Sequence, residues 1–165
     1  GELDFAISGN DFFEGRRMFA DTGLMVGYFR CPDCGFLFTP AFDSFTVADW
    51  EQHVYNDSYV LADPPFLEER PLRDAKMCGI LFDSFRQADM LDYGGGRGLL
   101  AEDLKRQGFR CVSFDPIYQA GKPQPAPADI MTCFEVVQHV ANQNALLQDI
   151  ARLLKPGAVF LFSTL

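Results

Sequence analysis

The 165-residue chain lacks long apolar runs and lacks an excess of positive charge, and each absence excludes a class of partner. No apolar run approaches the ~20 residues that a helix needs to cross a bilayer, so the sequence predicts no membrane partner. Lys and Arg together number 14 against 23 Asp and Glu, a formal net charge of −9. An acidic surface disfavours binding to a nucleic-acid backbone, so we expect no nucleic-acid partner either.

Cysteine and histidine are scarce, with five and two residues respectively. Cys78, Cys111 and Cys133 lie in apolar patterns and are predicted to be buried free thiols. The first residues lack the basic and apolar regions of a signal peptide. Both observations favour a reducing cytoplasm as the location of the protein.

A glycine cluster separates a strand predicted over 88–93 from an amphipathic helix predicted over 99–107. The cluster reads Asp92-Tyr93-Gly94-Gly95-Gly96-Arg97-Gly98. Glycine tolerates positive φ and has no Cβ, so a ligand can lie against bare backbone there. The first N–H groups of the helix would then face that ligand. The cluster therefore predicts a ligand-binding turn in an α/β sheet.

The spacing of the glycines separates two candidate cofactors. A nicotinamide fingerprint, G-x-G-x-x-G, could start at Gly94, but its third glycine would fall on Leu99. The observed order, Asp92-x-Gly94-x-Gly96-x-Gly98, resembles motif I of the class I S-adenosylmethionine (SAM)-dependent methyltransferases. In that family the loop lies against the amino-acid part and the ribose of SAM. The resemblance assigns cofactor binding in this loop to Asp92, Tyr93, Gly94, Gly95, Gly96 and Gly98.

An acidic residue follows the second predicted strand, which spans 109–114. Asp115 comes about 20 residues after the glycine cluster, where a carboxylate can accept hydrogen bonds from both ribose hydroxyls. The resemblance makes Asp115 the ribose-binding acid, with Pro116 beside it in the cofactor site. Nicotinamide enzymes place an acid similarly, so Asp115 supports the fold more than it separates the cofactors. The alternative is that Asp115 only forms the turn before Pro116.

The segment after the next predicted strand, 128–134, also resembles the family. That strand is nearly all apolar, which is typical of a strand covered on both faces. The following Glu135-Val136-Val137-Gln138-His139 resembles the family's E-V-x-E-H, with Gln138 in place of the second acid. The resemblance places Phe134, Glu135 and His139 in the cofactor site near the methyl group.

His139 is the candidate catalytic residue. Glu135 and His139 are predicted to lie one helical turn apart on the same side. We expect His139 to orient the methyl acceptor or take its proton, because imidazole titrates near neutrality. A structural hydrogen bond at the sheet edge is the alternative role.

Two features depart from the complete family pattern. The stretch 119–127 is too short for the helix and third strand that usually supply the adenine pocket, so we expect a loop or one helical turn with a rudimentary third strand. After a helix over 143–154, capped by Asn142, a buried strand over 158–164 is predicted to end the chain. The family usually continues to an antiparallel strand pair, which implies a truncated sheet with an open apolar edge. We expect a fragment, or a homodimer that covers that edge.

Two aromatic-rich runs flank Cys31-Pro32-Asp33-Cys34-Gly35, which has the form of a zinc knuckle. Cys31 and Cys34 are the predicted metal ligands, and His53 is a conceivable third. Zn²⁺ in a structural site takes four ligands, and the sequence has no second Cys-x-x-Cys. The alternatives are a knuckle whose other ligand pair is missing from this chain, a metal-free hairpin, or a complete site that the sequence does not reveal. The stretch resembles the end of the N-terminal zinc-binding module that many small-molecule methyltransferases, including sugar C-methyltransferases, carry. Such modules usually have an earlier cysteine pair, which this chain lacks.

Two helices are predicted between this hairpin and the glycine cluster. The first begins after Thr46, a capping residue with Asp49 three positions later. The second spans 66–86 and packs on the sheet. Its predicted apolar face consists of Leu72, Ala75, Met77, Ile80, Leu81 and Phe85. The resemblance makes Tyr55 and Tyr59 candidates for covering the cofactor, with packing at a domain junction as the alternative.

The predicted protein is α/β, with an N-terminal region over 1–60 and a partial Rossmann-like methyltransferase core over 61–165. The predicted function is transfer of the methyl group of SAM to a small-molecule acceptor, in which the protein positions the reactants and excludes water. Two alternatives stay open. One is an NAD(P)-dependent oxidoreductase on a similar sheet, and the other is a non-catalytic binding module on a degenerate SAM fold.

Overall fold

The computed structural model describes residues 1–6, 17, 19–119 and 124–164. The chain divides into two compact units, Gly1–Phe66 and Leu67–Leu165. In the described part of the chain, no helix is both long and apolar enough to cross a membrane.

Short hairpins and short helices form the described part of the first unit. Its elements are β1 (Glu2–Asp4), β2 (Met25–Gly27), β3 (Phe29–Arg30), β4 (Leu37–Phe38), α1 (Val47–His53) and α2 (Tyr59–Ala62). The pairs β1–β2 and β3–β4 are antiparallel. The predicted cap of α1 is confirmed, since Asp49 N–H donates to Thr46 Oγ1 and Thr46 N–H donates to the Asp49 carboxylate.

Aromatic rings pack against one another through the second half of this unit. Tyr55 lies with its ring centroid 6.1 Å from that of Trp50 and 5.1 Å from that of Tyr59. Tyr59 in turn meets Phe66 edge to face at 4.9 Å. These contacts are those of packing residues, and the predicted cover over a cofactor stays a prediction for both tyrosines.

A parallel sheet with helices forms the second unit. Its elements are α3 (Glu69–Leu81), β5 (Asp89–Tyr93), α4 (Leu99–Arg106), β6 (Arg110–Phe114), β7 (Ala128–Phe134), α5 (Gln143–Leu153) and β8 (Leu154–Ser163). The strand order is β6-β5-β7-β8, and all three pairings are parallel. The predicted Rossmann-like α/β architecture is confirmed by this arrangement. The chain leaves β5 towards β6 on one side and returns to β7 on the other, so β5 lies at the switch point where such sheets bind ligands.

Apolar side chains cover both faces of this sheet, as the sequence predicts for doubly covered strands. Successive residues of β5 point to opposite faces, so Met90 joins one core cluster and Leu91 the other. The predicted burial of the three core thiols is confirmed. Burial raises the pKa of each of them to about 12, and they are Cys78, Cys111 and Cys133.

The predicted apolar face of α3 is confirmed for Ala75, which is buried, and is wrong for its larger residues, which are exposed. The helix is shorter than 66–86, and Ile80 and Phe85 are 72% and 58% exposed. The face that meets the core carries small side chains, among them Ala75 and Cys78. At Gly79 a Cβ would lie 2.2 Å from Gln107 Oε1, so this side of α3 approaches the end of α4 closely.

The sheet edges differ in part from the prediction. No strand occurs in 115–119 or 124–127, and 120–123 lie outside the described residues, so the rudimentary third strand is not found where the structure can test it. On the other side, β8 begins at Leu154 rather than near 158. The earlier start comes from the pairing of Leu154 with Ala128. The next residue, Lys155, donates from Nζ to Asp89 at 2.8 Å and to Asp129 at 2.9 Å, at the beginnings of β5 and β7.

Candidate active site

The loop between β5 and α4 presents backbone where other sequences would present side chains. Gly94, Gly96 and Gly98 have φ angles of 72°, 56° and 85°, which residues with a Cβ rarely adopt. A Cβ on Gly94 would in addition lie 2.3 Å from a methyl carbon of Val136. Gly98 is the N-cap of α4, and no side chain caps that helix start. The loop and the first turn of α4 therefore offer backbone groups to a ligand.

Position 95 has no room for a side chain, so only glycine fits there. A Cβ at this position would lie 2.1 Å from Asp92 Oδ2 and 2.4 Å from Ser113 Oγ. Both oxygens are buried, and neither has a hydrogen-bond partner among the described residues. The loop backbone thus rests directly on two polar atoms that belong to β5 and β6.

Asp92 lies under this loop and is 3% exposed. Its Oδ1 accepts a hydrogen bond of 2.9 Å from Thr132 Oγ1. The strand register sets Ser113 of β6 and Thr132 of β7 level with Asp92, so three polar side chains cross the centre of the sheet. Burial raises the pKa of Asp92 to about 7, with a further increase from the Asp115 carboxylate and a decrease from the Thr132 bond.

Asp115 joins the glycine loop to the turn that follows β6. Its Oδ2 accepts the backbone N–H of Gly96 at 2.8 Å. Its Oδ1 accepts the N–H groups of Ile117 at 2.9 Å and Tyr118 at 3.0 Å. A carboxylate has roughly four lone-pair positions, so three of them are used and one remains on Oδ2. Pro116 begins this turn and is exposed.

Two predicted site residues serve mainly in the core. The Tyr93 ring packs against that of Phe114, with centroids 5.7 Å apart, in a buried cluster of the sheet. Phe134 is partly buried and packs against the other cluster. Both residues end strands at the carboxyl edge of the sheet, but these contacts give their rings a packing role.

The segment after β7 does not form the helical turn that the sequence predicts. Glu135 has φ 55°, and a 3₁₀ helix begins only at Val137 and ends at His139. The expectation that Glu135 and His139 lie one helical turn apart on one side is therefore wrong. His139 is exposed, and its backbone N–H donates to the carbonyl of Val136 at 2.9 Å.

Sequence reasoning misses an ion pair on α3 next to this site. Arg73 Nη2 lies 2.9 Å from Asp74 Oδ1, and the Asp74 carboxylate is buried. The pKa of Arg73 is raised, first by its hydrogen bond to Asp74 and in smaller part by the charge of Glu135. Asp74 also contributes to the raised pKa of Asp92. Three buried acids, Asp74, Asp92 and Asp115, thus lie in this part of the second unit, and Asp74 among them is paired with Arg73.

The Cys-x-x-Cys turn forms a hairpin, but a full metal site is not found there. Cys31 N–H donates to the carbonyl of Phe36 at 2.8 Å, which closes the turn between β3 and β4. The backbone N–H groups of Cys34 and Asp33 donate to the Cys31 sulfur and lower the pKa of its thiol. Across residues 1–6, 17, 19–119 and 124–164, no group of three or more His, Cys, Asp and Glu side chains is arranged to hold a metal. His53 therefore does not join the two cysteines as a third ligand.

A comparison with known protein families decides what the second unit is. Residues 66–165 match the family described as a methyltransferase domain. The chain belongs to the methyltransferase domain family. The glycine loop at the switch point of the sheet is thus the loop of a methyltransferase core, and neither the oxidoreductase nor the binding-module alternative is favoured.

Two curated proteins that are similar to this chain have the same name. The chain is 30% identical over 129 residues to the ubiquinone biosynthesis O-methyltransferase of Pseudoalteromonas translucida (strain TAC 125), with 61% of this chain and 53% of the relative covered. It is 29% identical over 149 residues to the protein of that name from Xylella fastidiosa (strain M23), with 75% and 57% covered. The chain thus spans about half the length of these curated relatives.

Proposed function

We propose that the protein binds SAM at the glycine loop and transfers its methyl group to a small-molecule acceptor. The observation that carries the proposal is the loop itself, because Gly95 rests on Asp92 and Ser113 while Gly96 is tied to Asp115. Similarity to proteins named O-methyltransferases supports an oxygen atom as the acceptor. We therefore propose a hydroxyl-bearing small molecule as the substrate.

The residues present suit a positively charged cofactor with a ribose. Gly94, Gly95, Gly96 and Gly98 would lie against it with bare backbone, and the remaining Oδ2 position of Asp115 would accept one ribose hydroxyl. This refines the expectation of two ribose hydroxyls on Asp115. The Asp115 carboxylate at the loop favours a cation. Asp92 supports the loop from below, since its free oxygen faces Gly95.

The chain's own residues would position the reactants. When bound, SAM supplies a methyl group already activated by its sulfonium, so the protein needs to align the acceptor and exclude water. Glu135 lies at the carboxyl edge of the sheet, and the next residue, Val136, contacts Gly94. His139 is exposed and ends the 3₁₀ helix Val137–His139. It is our candidate to take the acceptor's proton.

Calorimetric titration tests the proposal. The protein is titrated with SAM, S-adenosylhomocysteine, NAD and NADP, and we expect binding of the first two only. Asp115→Ala should abolish that binding, whereas Glu102→Gln, on an exposed position of α4, should leave it unchanged. Binding of a nicotinamide cofactor alone, or of no ligand at all, would overturn the proposal.

Zinc, location and oligomeric state stay predictions. Cys31 and Cys34 supply two thiolates, half the ligand set of a structural zinc site. Atomic emission tests them: near-stoichiometric zinc that is lost in Cys31→Ser supports zinc binding, and its absence from the wild type contradicts it. β8 pairs only with β7 within the described residues, and its Val159 and Phe162 are 49% and 50% exposed. The cytoplasm and a homodimer across that edge rest on the sequence alone.

A further inference from the structure

Glu135 holds an unusual backbone conformation at the carboxyl edge of the sheet. Of the described residues other than glycine, it alone has a positive φ, at 55°. A residue with a Cβ keeps such a conformation only where its surroundings fix it, and residues of this kind cluster at functional sites. The conformation of Glu135 therefore requires contacts that hold it in place.

Ser163, at the end of β8, holds Glu135 through three contacts. The Glu135 N–H donates to the carbonyl oxygen and to Oγ of Ser163, each at 3.2 Å. Ser163 Oγ–H in turn donates to Glu135 Oε1 at 2.6 Å. One serine thus fixes both the backbone and one carboxylate oxygen of Glu135.

Gln138 holds the other carboxylate oxygen. Its Nε2 donates to Glu135 Oε2 at 2.7 Å, and its own Oε1 accepts a hydrogen bond of 3.2 Å from Thr164 Oγ1. Each oxygen of Glu135 therefore receives one side-chain donor. Since a carboxylate oxygen has two lone pairs, each keeps one acceptor position for a ligand.

The residue that follows Glu135 contacts the glycine loop. Val136, the next residue, has a methyl carbon 2.3 Å from where a Cβ of Gly94 would lie, so the chain after Glu135 touches the loop directly. We infer that Ser163 and Gln138 are positioning residues that aim the Glu135 carboxylate at the cofactor site. An anion that is already oriented stabilises positive charge in the ligand without reorganising when the ligand binds. This inference rests on the proposed function, because it takes the glycine loop as the SAM site.

Calorimetric dissociation constants for SAM test the inference. Ser163→Ala and Gln138→Ala should each weaken binding roughly ten-fold, the scale expected for a lost hydrogen bond to a charged group. Ser163→Thr, which keeps the hydroxyl on a strand residue, should restore wild-type binding. Ser84→Ala, which removes an exposed hydroxyl elsewhere in the second unit, is the matched control and should have no effect.

A double-mutant cycle separates positioning from a purely structural role. If Ser163 acts through Glu135, then Ser163→Ala should add nothing to the loss of binding in a Glu135→Gln background. Wild-type affinity in Ser163→Ala, or an undiminished effect of that change in the Glu135→Gln background, overturns the inference. The Gln138→Ala variant carries the same test if Ser163→Ala does not fold. Failure of the proposed function is seen separately, in the first titration, as a wild-type protein that does not bind SAM.

Discussion

The carboxylate of Asp115 accepts the backbone N–H of Gly96 across a distance of 2.8 Å. This bond ties the glycine loop to the end of β6, and it uses one lone pair of an oxygen that would also receive a ribose hydroxyl. The order of the loop therefore depends on an acid that the ligand itself would contact.

Asp115→Asn should disrupt the loop although it changes the size of the side chain little. The carboxylate faces three N–H donors, and an amide must turn its own NH₂ towards at least one of them. A buried donor without a partner costs about 1–3 kcal/mol, so the free energy of unfolding should fall by about that amount. Urea unfolding measures this loss, and unchanged stability beside the Glu102→Gln control would contradict it.

Gly95→Ala should destabilise the protein through steric overlap. The new Cβ would meet Asp92 Oδ2 and Ser113 Oγ, and burial and the hydrogen bond from Thr132 hold the Asp92 side chain in place. Overpacking of this kind costs about 1–3 kcal/mol. Gly27→Ala is the matched control, because its Cβ would meet its nearest neighbour, a Phe29 ring carbon, at an ordinary 3.4 Å. Thermal unfolding compares the two, and equal effects would show that the space argument is wrong.

The buried acid under the loop should give stability an unusual dependence on pH. The pKa of Asp92 is raised from 3.8 to about 7 in the folded protein, so between these values the folded state keeps a proton that the unfolded state has released. The contribution of Asp92 to stability is thus fully present below about pH 4 and is lost as the pH rises towards 7, by at most about 1.4 kcal/mol per pH unit. Asp92→Asn should remove that slope. Unfolding curves from pH 4 to 8 measure the difference, and parallel profiles for both proteins would refute the assignment.

Lys155→Met should weaken the amino edge of the sheet only modestly. Lys155 bridges Asp89 and Asp129, and its hydrogen bond lowers the pKa of Asp129. All three side chains are more than a third exposed, so water screens the pairs and the loss in the free energy of unfolding at neutral pH should be small. Since the pKa of Asp129 is depressed, the loss should shrink as the pH falls through that pKa. Lys76→Met on the exposed side of α3 is the control, and an equal loss there would argue against the bridge.

Alkylation should divide the five thiols into two groups. Cys34 is exposed and Cys31 partly so, whereas the other three are buried, with pKa values raised to about 12. Iodoacetamide acts on the thiolate, so the native protein should be modified at Cys31 and Cys34 only. Peptide mass spectrometry before and after unfolding measures this. Early labelling of Cys78 would show that the core is more open than described.

Apolar pattern was sufficient to predict those elements whose burial is complete. β7 has the predicted bounds, 128–134, because a doubly covered strand is apolar at almost every position. The same reasoning failed for α3, where it selected the large residue Ile80 as core. The close approach of α3 to α4 instead requires a residue without a side chain, Gly79, which an apolar pattern does not identify.

Part of the site could not be predicted, because it depends on contacts between distant strands. Ser113 and Thr132 belong to the site because the strand register places both of them opposite Asp92. Neither residue is part of a sequence motif. The positive φ of Glu135 similarly arises from bonds to Ser163, 28 residues later. The glycine cluster was predictable, since its need for residues without a Cβ is local.

The last strand is fastened at both of its ends. Lys155 forms hydrogen bonds to the carboxylates of Asp89 and Asp129 near the start of β8, and Ser163 forms one to the Glu135 carboxylate at the end of β8. A register shift of one residue would turn both side chains to the opposite face of the sheet and break both sets of hydrogen bonds. These contacts favour a single register of β8 against β7. A strand that pairs with the outer edge of β8 would therefore meet a backbone whose register is already fixed.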